Sequence, residues 1–511
     1  MQRFDSAWGR VKRWLVLLPL VAAGCAHRGA PASIPLTESF PPFSESGDSE
    51  LPNRWWTAFN DPKLDHQIHH ALVKNYSLAA ALQRVSAARA LARREASDLW
   101  PDLNGVADIG GTFGPGKDRA NFPLGVDAAY QVDLWGEIES RVDAERFRAK
   151  ATCADYHAIA LTLSGEIART WFSLVEAYAQ TELLEEQIKT NRTGLELQEL
   201  RFGLGLIRSA DVLRQRQLLE STLEQAVIAE SRIKVLEHQL AVLMGEMPQT
   251  ASYETGSDLP DLPPLPATGL PCELVHRRPD VRRDYLALKS ADRDLASAIS
   301  AQYPRLSLTG SVLSIAERPE TIFRDWFVFI GGQLIAPLLD GGQRRAEVDR
   351  TCAVKRELLN EYSQTILVAF REVEDSLARE KYQLLRIEHL KAQVKLAGQA
   401  SGQLREQYLI GDVEYLDVLS ASTGQQSLQR QLLSAQLDLV LIRVSLYLAL
   451  AGDFEAAGGY LPYLQDPRQD DQPVEVADSS ESKDLSEALQ LNDERGPENT
   501  EGDPAATDSN E

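Results

Sequence analysis

Proline is missing from two stretches of this 511-residue chain, Glu137 to Met247 and Leu338 to Leu461, although it occurs 25 times in all. An even scatter would place about five or six prolines in each stretch. An interior proline costs a helix roughly 3 kcal/mol or more, so two such stretches, rich in Ala, Leu, Glu, Gln and Arg, predict very long helices. Each contains one plausible turn, at Gly203-Leu204-Gly205 and at Gly411-Asp412. An unbroken helix from Glu137 to Phe202 would be roughly 100 Å long at 1.5 Å rise per residue. No globular core needs that length. Apolar residues at three- and four-residue spacing (Leu213, Leu219, Leu223, Val227, then Ile233, Leu236, Leu240, Leu243) predict side-by-side packing in the manner of coiled coils.

The chain is also duplicated. Adding 206 to a residue number in the first half carries Gly136 to Gly342, Val142 to Val348, Tyr156 to Tyr362, Glu166 to Glu372 and Asp211-Val212-Leu213 to Asp417-Val418-Leu419. Upstream the offset is 203, pairing Pro101 with Pro304. A period near 200 marks a domain duplication, not a solenoid. The change of offset falls between Pro101 and Gly136, which predicts a longer loop in the second copy.

That interval holds the strands. Phe122, Leu124, Val126, Ala128, Tyr130, Val132 and Leu134 alternate with Pro123, Gly125, Asp127, Ala129, Gln131 and Asp133, a period of two that gives a strand one apolar and one polar face. Leu306, Leu308 and Val312 alternate with Ser307, Thr309 and Ser311. The predicted strands are 103–113, 122–134, 305–314 and 326–336, the last too apolar on both sides to orient by pattern. A soluble sheet with one face on a core fits the alternation equally well. A sheet in lipid, however, must leave no open edge, and four strands cannot close, whereas three chains would contribute 12.

At the N-terminus, Arg3, Arg10, Lys12 and Arg13 precede an apolar run from Trp14 to Ala23, the pattern of a secretory signal and too short for a bilayer span. It ends in Ala22-Ala23-Gly24-Cys25, similar to a bacterial lipobox in which Cys25 is acylated; an ordinary cleaved signal with an incidental cysteine is the alternative. Ala26 after the cysteine, by analogy with bacterial lipoproteins, suggests forwarding to the outer membrane. The formal charge is −22, from 53 Lys plus Arg and 75 Asp plus Glu, which excludes a strongly basic nucleic-acid binder. Residues 466–511 alone carry −12, leaving −10 for the rest, and their composition predicts a disordered acidic tail. The predicted organisation is a signal peptide 1–24, a lipidated linker 25–50, a first repeat 51–246 with helical hairpin 137–246, an inter-repeat linker 247–271, and a second repeat 272–455 with helical hairpin 342–452.

On this frame sit motifs that carry a family resemblance. Trp55-Trp56 with Phe59, Asp61, Pro62 and Leu64 resembles the opening motif of the NodT-type outer-membrane factors, the lipoprotein branch of the TolC-like efflux channels. Leu274, Arg277-Arg278-Pro279-Asp280-Val281-Arg282, Tyr303-Pro304 and Leu306-Ser307-Leu308 resemble the start of that family's second repeat. Asp133-Leu134-Trp135-Gly136 and Pro337-Leu338-Leu339-Asp340-Gly341-Gly342 resemble its strand-to-helix junctions, and Tyr408, Gly411 and Tyr415-Leu416-Asp417-Val418-Leu419 its second helical turn. The match runs from about Leu51 to Gly452.

The resemblance implies a mixed α/β membrane protein of duplicated long α-helical hairpins and β-hairpins. Its homotrimer would form a 12-stranded β-barrel among outer-membrane lipids. A periplasmic α-helical barrel would continue it, with an equatorial belt between. Such ducts are passive and dock on a periplasmic adaptor and an inner-membrane efflux transporter. By resemblance, Leu416, Asp417 and Ser420 would close the periplasmic aperture; related channels often have an acid where Ser420 stands. The turns Gly203, Leu204, Gly205, Leu206, Ile410, Gly411 and Val413, with Ile207 and Leu409, would meet the adaptor, unless they only cap their own helices. Gly136 and Gly342 lie where an extended chain must become helical, a change glycine tolerates. Three like charges at one axis repel, so an Asp417 ring would narrow the aperture and favour cations; a solvated helix-face aspartate is the alternative.

Other chemistry is thin. His66, His69 and His70 share a helix face, but no second motif marks a metal site there, and a solvated cluster is the plainer reading. Cys153, Cys272 and Cys352 do not pair under the repeat offset, which argues against a disulfide framework. No catalytic constellation or cofactor motif stands out. An outer-membrane component of a protein-secretion system, or a lipid-tethered periplasmic coiled-coil scaffold, are the competing readings.

Overall fold

The computed structural model describes residues 41–112, 119–253, 255–269, 271–316, 318–321 and 323–452. The signal segment, Cys25 and the acidic tail lie outside the described residues, as does the whole of the second compact unit, Tyr460–Glu511.

A short 3-10 turn at Trp55–Phe59 opens the first copy. Helix α1 (Pro62–Lys74) follows, its first turn closed by Asp61, whose carboxylate accepts from the amides of Lys63 and Leu64, with proline at the first position where no N–H is missed. Helix α2 (Tyr76–Ala96) leads to strands β1 (Asp102–Ala107), β2 (Gly110–Thr112) and β3 (Arg119–Val132). The segment predicted as one strand, 103–113, is thus two short strands, and Phe113 lies outside the described residues. Helix α3 (Glu137–Gly203) then runs 67 residues, and α4 (Ser209–Leu243) returns alongside it.

The second copy repeats the order: α5 (Pro271–Arg277), α6 (Pro279–Ser300), β4 (Arg305–Ala316), β5 (Trp326–Ile335), α7 (Gln343–Ile410) and α8 (Tyr415–Leu450). Pro271, placed in the linker by sequence, is the first residue of α5. The longer connection of the second copy is not in the hairpin loop. Asp102 and Val132 in the first copy map onto Arg305 and Ile335 with an unchanged offset of 203, so the insertion lies wholly between strand and helix. That junction is Asp133–Gly136 in the first copy and Ala336–Gly342 in the second.

The antiparallel sheet has the order β1-β3-β4-β5, with β2 also on β3. The second strand of copy one pairs with the first strand of copy two, Asp127 facing Ser311 and Tyr130 facing Leu308. Among the described residues the outer edges of β1 and β5 are unpaired. The register also orients β5, which pattern alone left ambiguous. Leu103, Val126, Tyr130, Leu308, Val312, Val328, Ile330 and Leu334 share one face, and Asn104, Asp127, Gln131, Ser307, Thr309, Ser311 and Gln333 the other.

Below the sheet the helices form a layer in the order α4-α3-α8-α7, the two hairpins meeting where α3 packs on α8. Helix α8 is apolar and long enough to cross a bilayer by composition. It is instead a packed member of this layer, with Arg443 buried and held by Glu380 at 2.8 and 2.6 Å. The Trp-Trp motif ties the belt to the layer: Trp55 donates to Ser164 at 3.0 Å, Trp171 to Asp61 at 2.8 Å, and Phe59 packs between Phe172 and Tyr447. On the far edges of the layer, α4 exposes Leu213, Ile228, Val235 and Val242, and α7 exposes Leu367, Leu384, Leu385 and Leu396. Of the eight apolar positions predicted to pack along α4, Leu219, Ile233 and Leu240 are buried within the chain, while Leu213 and Val227 face outward.

Candidate functional site

The turn end of the two hairpins is built by glycine. Gly205 adopts φ +75° and Gly411 φ +84°, the left-handed region that ends a helix at little cost only for glycine. The amide of Leu206 donates to the Arg201 carbonyl at 3.0 Å, and that of Asp412 to Gln407 at 3.0 Å, so both ends close in the same way. Leu204, Leu206, Leu409 and Ile410 project from these turns, Ile410 with 81% of its surface exposed. Gly203 ends α3 in open space, and Ile207 is half-buried. Val413 is half-buried, packing in part against Tyr408, Tyr415 and Val418.

At the start of α8, Tyr415 and Val418 are buried, whereas Leu416, Asp417 and Ser420 are exposed together on the opposite face. Asp417 lies in the first turn of α8, where the amides of the helix start favour a carboxylate.

Two phenols hold this end of the second hairpin to the first. Tyr408 donates its hydroxyl to Gln198 on α3 at 2.9 Å, and Tyr415 donates to Gln215 on α4. The rings lie 5.2 Å apart, and the Arg201 guanidinium sits 4.4 Å above Tyr408. Burial, with the neighbouring Tyr408 and Asp211, raises the Tyr415 phenol above its ordinary value, so it stays a donor. Further along the seam, Gln215 donates to the Asn191 carbonyl at 2.7 Å, and the Gln426 amide donates to Asn191 Oδ1 at 3.0 Å. Arg430 donates to Gln187 at 2.6 Å, and Gln180 to Glu176 and the Arg430 carbonyl. Glu176, fully buried, faces Arg232 at 3.1 Å. The hairpins therefore meet across a polar seam, which the apolar pattern did not reveal. Its trace in the sequence is the amide series Gln180, Gln187, Asn191 and Gln198 on one face of α3.

At the other end of the long helices, Gly136 (φ +72°) and Gly342 (φ +89°) are the residues immediately before α3 and α7. Asp133 accepts from the Glu139 amide at 2.8 Å, and Asp340 from the Gly342 amide at 3.0 Å, so each helix of roughly 100 Å starts under a carboxylate.

The family model for outer membrane efflux proteins matches residues 67–246 and 270–452. The chain belongs to the outer membrane efflux protein family. It is 30% identical to the pyoverdine export outer membrane protein OpmQ of Pseudomonas aeruginosa, over 80% of this chain and 87% of that protein. It is also 30% identical to the solvent efflux pump outer membrane protein SrpC of Pseudomonas putida, over 78% of this chain and 87% of that protein. The solved outer-membrane channel OprN superposes with a TM-score of 0.76 at 25% identity, covering 82% of this chain and 99% of that one. The expected fold and the expected role as an outer-membrane exit duct for efflux are those of this family.

The remaining candidates are dispersed. His66 and His70 stack at 6.3 Å between ring centres, and His70 lies 3.7 Å from Glu246; no cluster suited to a metal occurs among the described residues. Cys153 on α3 and Cys352 on α7 are free thiols, half-buried, and the Cys272 side chain lies outside the described set.

Proposed function

We propose that this efflux channel works as a homotrimer anchored by acyl chains on Cys25, its three sheets closing a 12-stranded barrel and its hairpins a periplasmic tunnel. The observation that carries this reading is that both the sheet and the helical layer of the protomer end in unsatisfied edges. β1 and β5 end the sheet with unpaired edges, and α4 and α7 end the helical layer with exposed apolar rows. Unpaired strand edges cannot remain in lipid. Joining β5 to the β1 of the next copy, and α7 to its α4, satisfies both.

In that assembly Leu416, Asp417 and Ser420 form the periplasmic aperture, and the projecting Leu204, Leu206, Leu409 and Ile410 offer an apolar surface to a periplasmic adaptor. An inner-membrane transporter then supplies both cargo and energy, and the duct needs no catalytic group of its own. The relatives named for pyoverdine and for solvents show how far cargo can differ within one family. The reading is tested by the mass of the detergent-extracted protein and by its conductance in planar bilayers. Trimeric, conducting particles are expected; a monomer soluble without detergent after Cys25→Ala would sink it.

A further inference from the structure

The polar face of the sheet is not uniformly polar. Following the register across the strands, one row on this face reads Asn104, Asp127, Ser311, Phe329, and the next row away from the helices reads Val106, Gly125, Leu313, Phe327. Phe327 and Phe329 are thus the large aromatic groups on a face that toward the helix end is made mainly of Ser, Thr, Asn, Gln, Asp and Gly, with Ala129, Arg305 and Ile335 beside them. Both are more than half exposed. The Phe329 ring lies across Gly331, where an added Cβ would come within 2.8 Å of the ring, so glycine leaves room for that ring position.

Asp102 and Asp127 make no ion pair among the described residues, and the strand cation on the face, Arg305, is held by Glu137. Asp127 and Phe329 occupy one row with a single strand between them, hence about 10 Å apart at the usual strand spacing. An exposed aromatic ring at that distance from an unpaired carboxylate suits a solute with an apolar aromatic body and a positive charge. The ring takes the body and, through its negative face, the cation; the carboxylate supplies the longer-range attraction.

We propose that Phe327 and Phe329, with Asp127 and Asp102, form a contact station for cationic amphiphiles on the inner wall of the barrel. This rests on the trimeric-barrel reading, which makes the polar face the inner one. The station slows such solutes on their way out and gives the passive duct a preference of its own.

The test uses the full-length trimer in planar bilayers with tetraphenylphosphonium as probe and tetraphenylborate, its anionic counterpart of the same shape, as control. The wild type should show voltage-dependent block by the cation and much weaker block by the anion. Phe329→Ala and Phe327→Ala should shorten the blocked dwell time about three- to fivefold while probe-free conductance is kept. Asp127→Asn, which leaves the rings and the strand intact, should shorten it too, and serves if an alanine variant fails to assemble. Equal block by both ions, or unchanged dwell times in Asp127→Asn, overturns the proposal while leaving the duct reading intact. Absence of any wild-type conductance overturns the duct reading itself.

Discussion

Asn75 and Arg278, related by the repeat offset of 203, do the same work in the two halves: each donates a side-chain hydrogen bond to the end of the returning helix. Asn75 reaches the Leu243 carbonyl at 2.7 Å, and Arg278 the Ala449 carbonyl at 3.4 Å. Glycine follows each returning helix because the chain passes close by: a Cβ on Gly245 would stand 2.6 Å from the Lys74 carbonyl, and one on Gly452 3.2 Å from that of Arg277. Helix α4 thus abuts α2, and α8 abuts α6, so two short upper helices prolong two lower ones. The joints are not equal in strength. Asn75 also caps α2 through the Leu78 amide, whereas Arg278 is clamped by Asp280 and Glu372, each at 2.7 Å.

Asn75→Ala should therefore cost about 1 to 2 kcal/mol, the value of a lost cap. Arg278→Ala should cost more, about 2 to 3 kcal/mol, because two partly screened carboxylates are left facing each other. Thermal unfolding of the detergent-solubilised protein would rank them; an equal or reversed order contradicts the clamp.

The second joint should also be acid-sensitive. Burial alone would raise the Asp280 carboxyl, but its hydrogen bonds and charge contact with Arg278 outweigh that and hold it below the ordinary aspartate value. A lowered pKa contributes stability above the unfolded value, near about pH 4, and the contribution is lost as pH falls through the folded value. Unfolding midpoints should drop from pH 4 downward, and Asp280→Asn should flatten that slope. A slope unchanged by the substitution would exclude Asp280 as its source.

Gly136 and Gly342 adopt positive φ with nothing within 4 Å of an added Cβ. Alanine at either position should cost about 1 to 2 kcal/mol through the backbone alone. Alanine at Gly402, in the body of α7 with equally open space, should be neutral or stabilising. Equal effects at the three sites would mean that the conformation at the junctions is not needed.

Tyr408→Phe and Tyr415→Phe each remove one hydroxyl tying the second hairpin to the first. Each should cost about 1 kcal/mol. Single-channel conductance should rise if the seam restrains the aperture, and the double variant should exceed either alone. Conductance equal to wild type in all three would show that these bonds only stabilise the fold.

Asp417→Ala tests the aperture directly. Reversal potentials across a salt gradient should shift toward lower cation preference, because the proposed trimer would lose a ring of three carboxylates near one axis. An unchanged reversal potential would make Asp417 an ordinary solvated residue of the helix start.

Much of this architecture was legible because its causes are local. A proline-free run reports a helix whatever surrounds it, and a period of two in Phe122 to Val132 reports a strand face wherever the sheet sits. The orientation of β5 was not legible, since Trp326 to Ile330 is apolar on both sides and only pairing with β4 assigns Phe327 and Phe329 to the polar face. The seam is not legible because Gln180, Asn191 and Gln198 are polar and read as solvent-facing until the second hairpin is placed against them. Val413 shows the opposite case: next to a turn glycine it looks exposed, yet it packs in part against Tyr408.

The junction insertion makes the two hairpins differently leashed. Four residues join β3 to α3, a tether of at most about 14 Å, and seven join β5 to α7, up to about 25 Å. The short tether is also riveted, by Trp135 donating to the Pro304 carbonyl at 2.8 Å and by Arg305 on Glu137. In the long one, Leu338 and Leu339 are almost wholly uncovered. Slack in the chain thus lies above the second hairpin alone, so a given displacement of α7 would pull on the sheet less than the same displacement of α3.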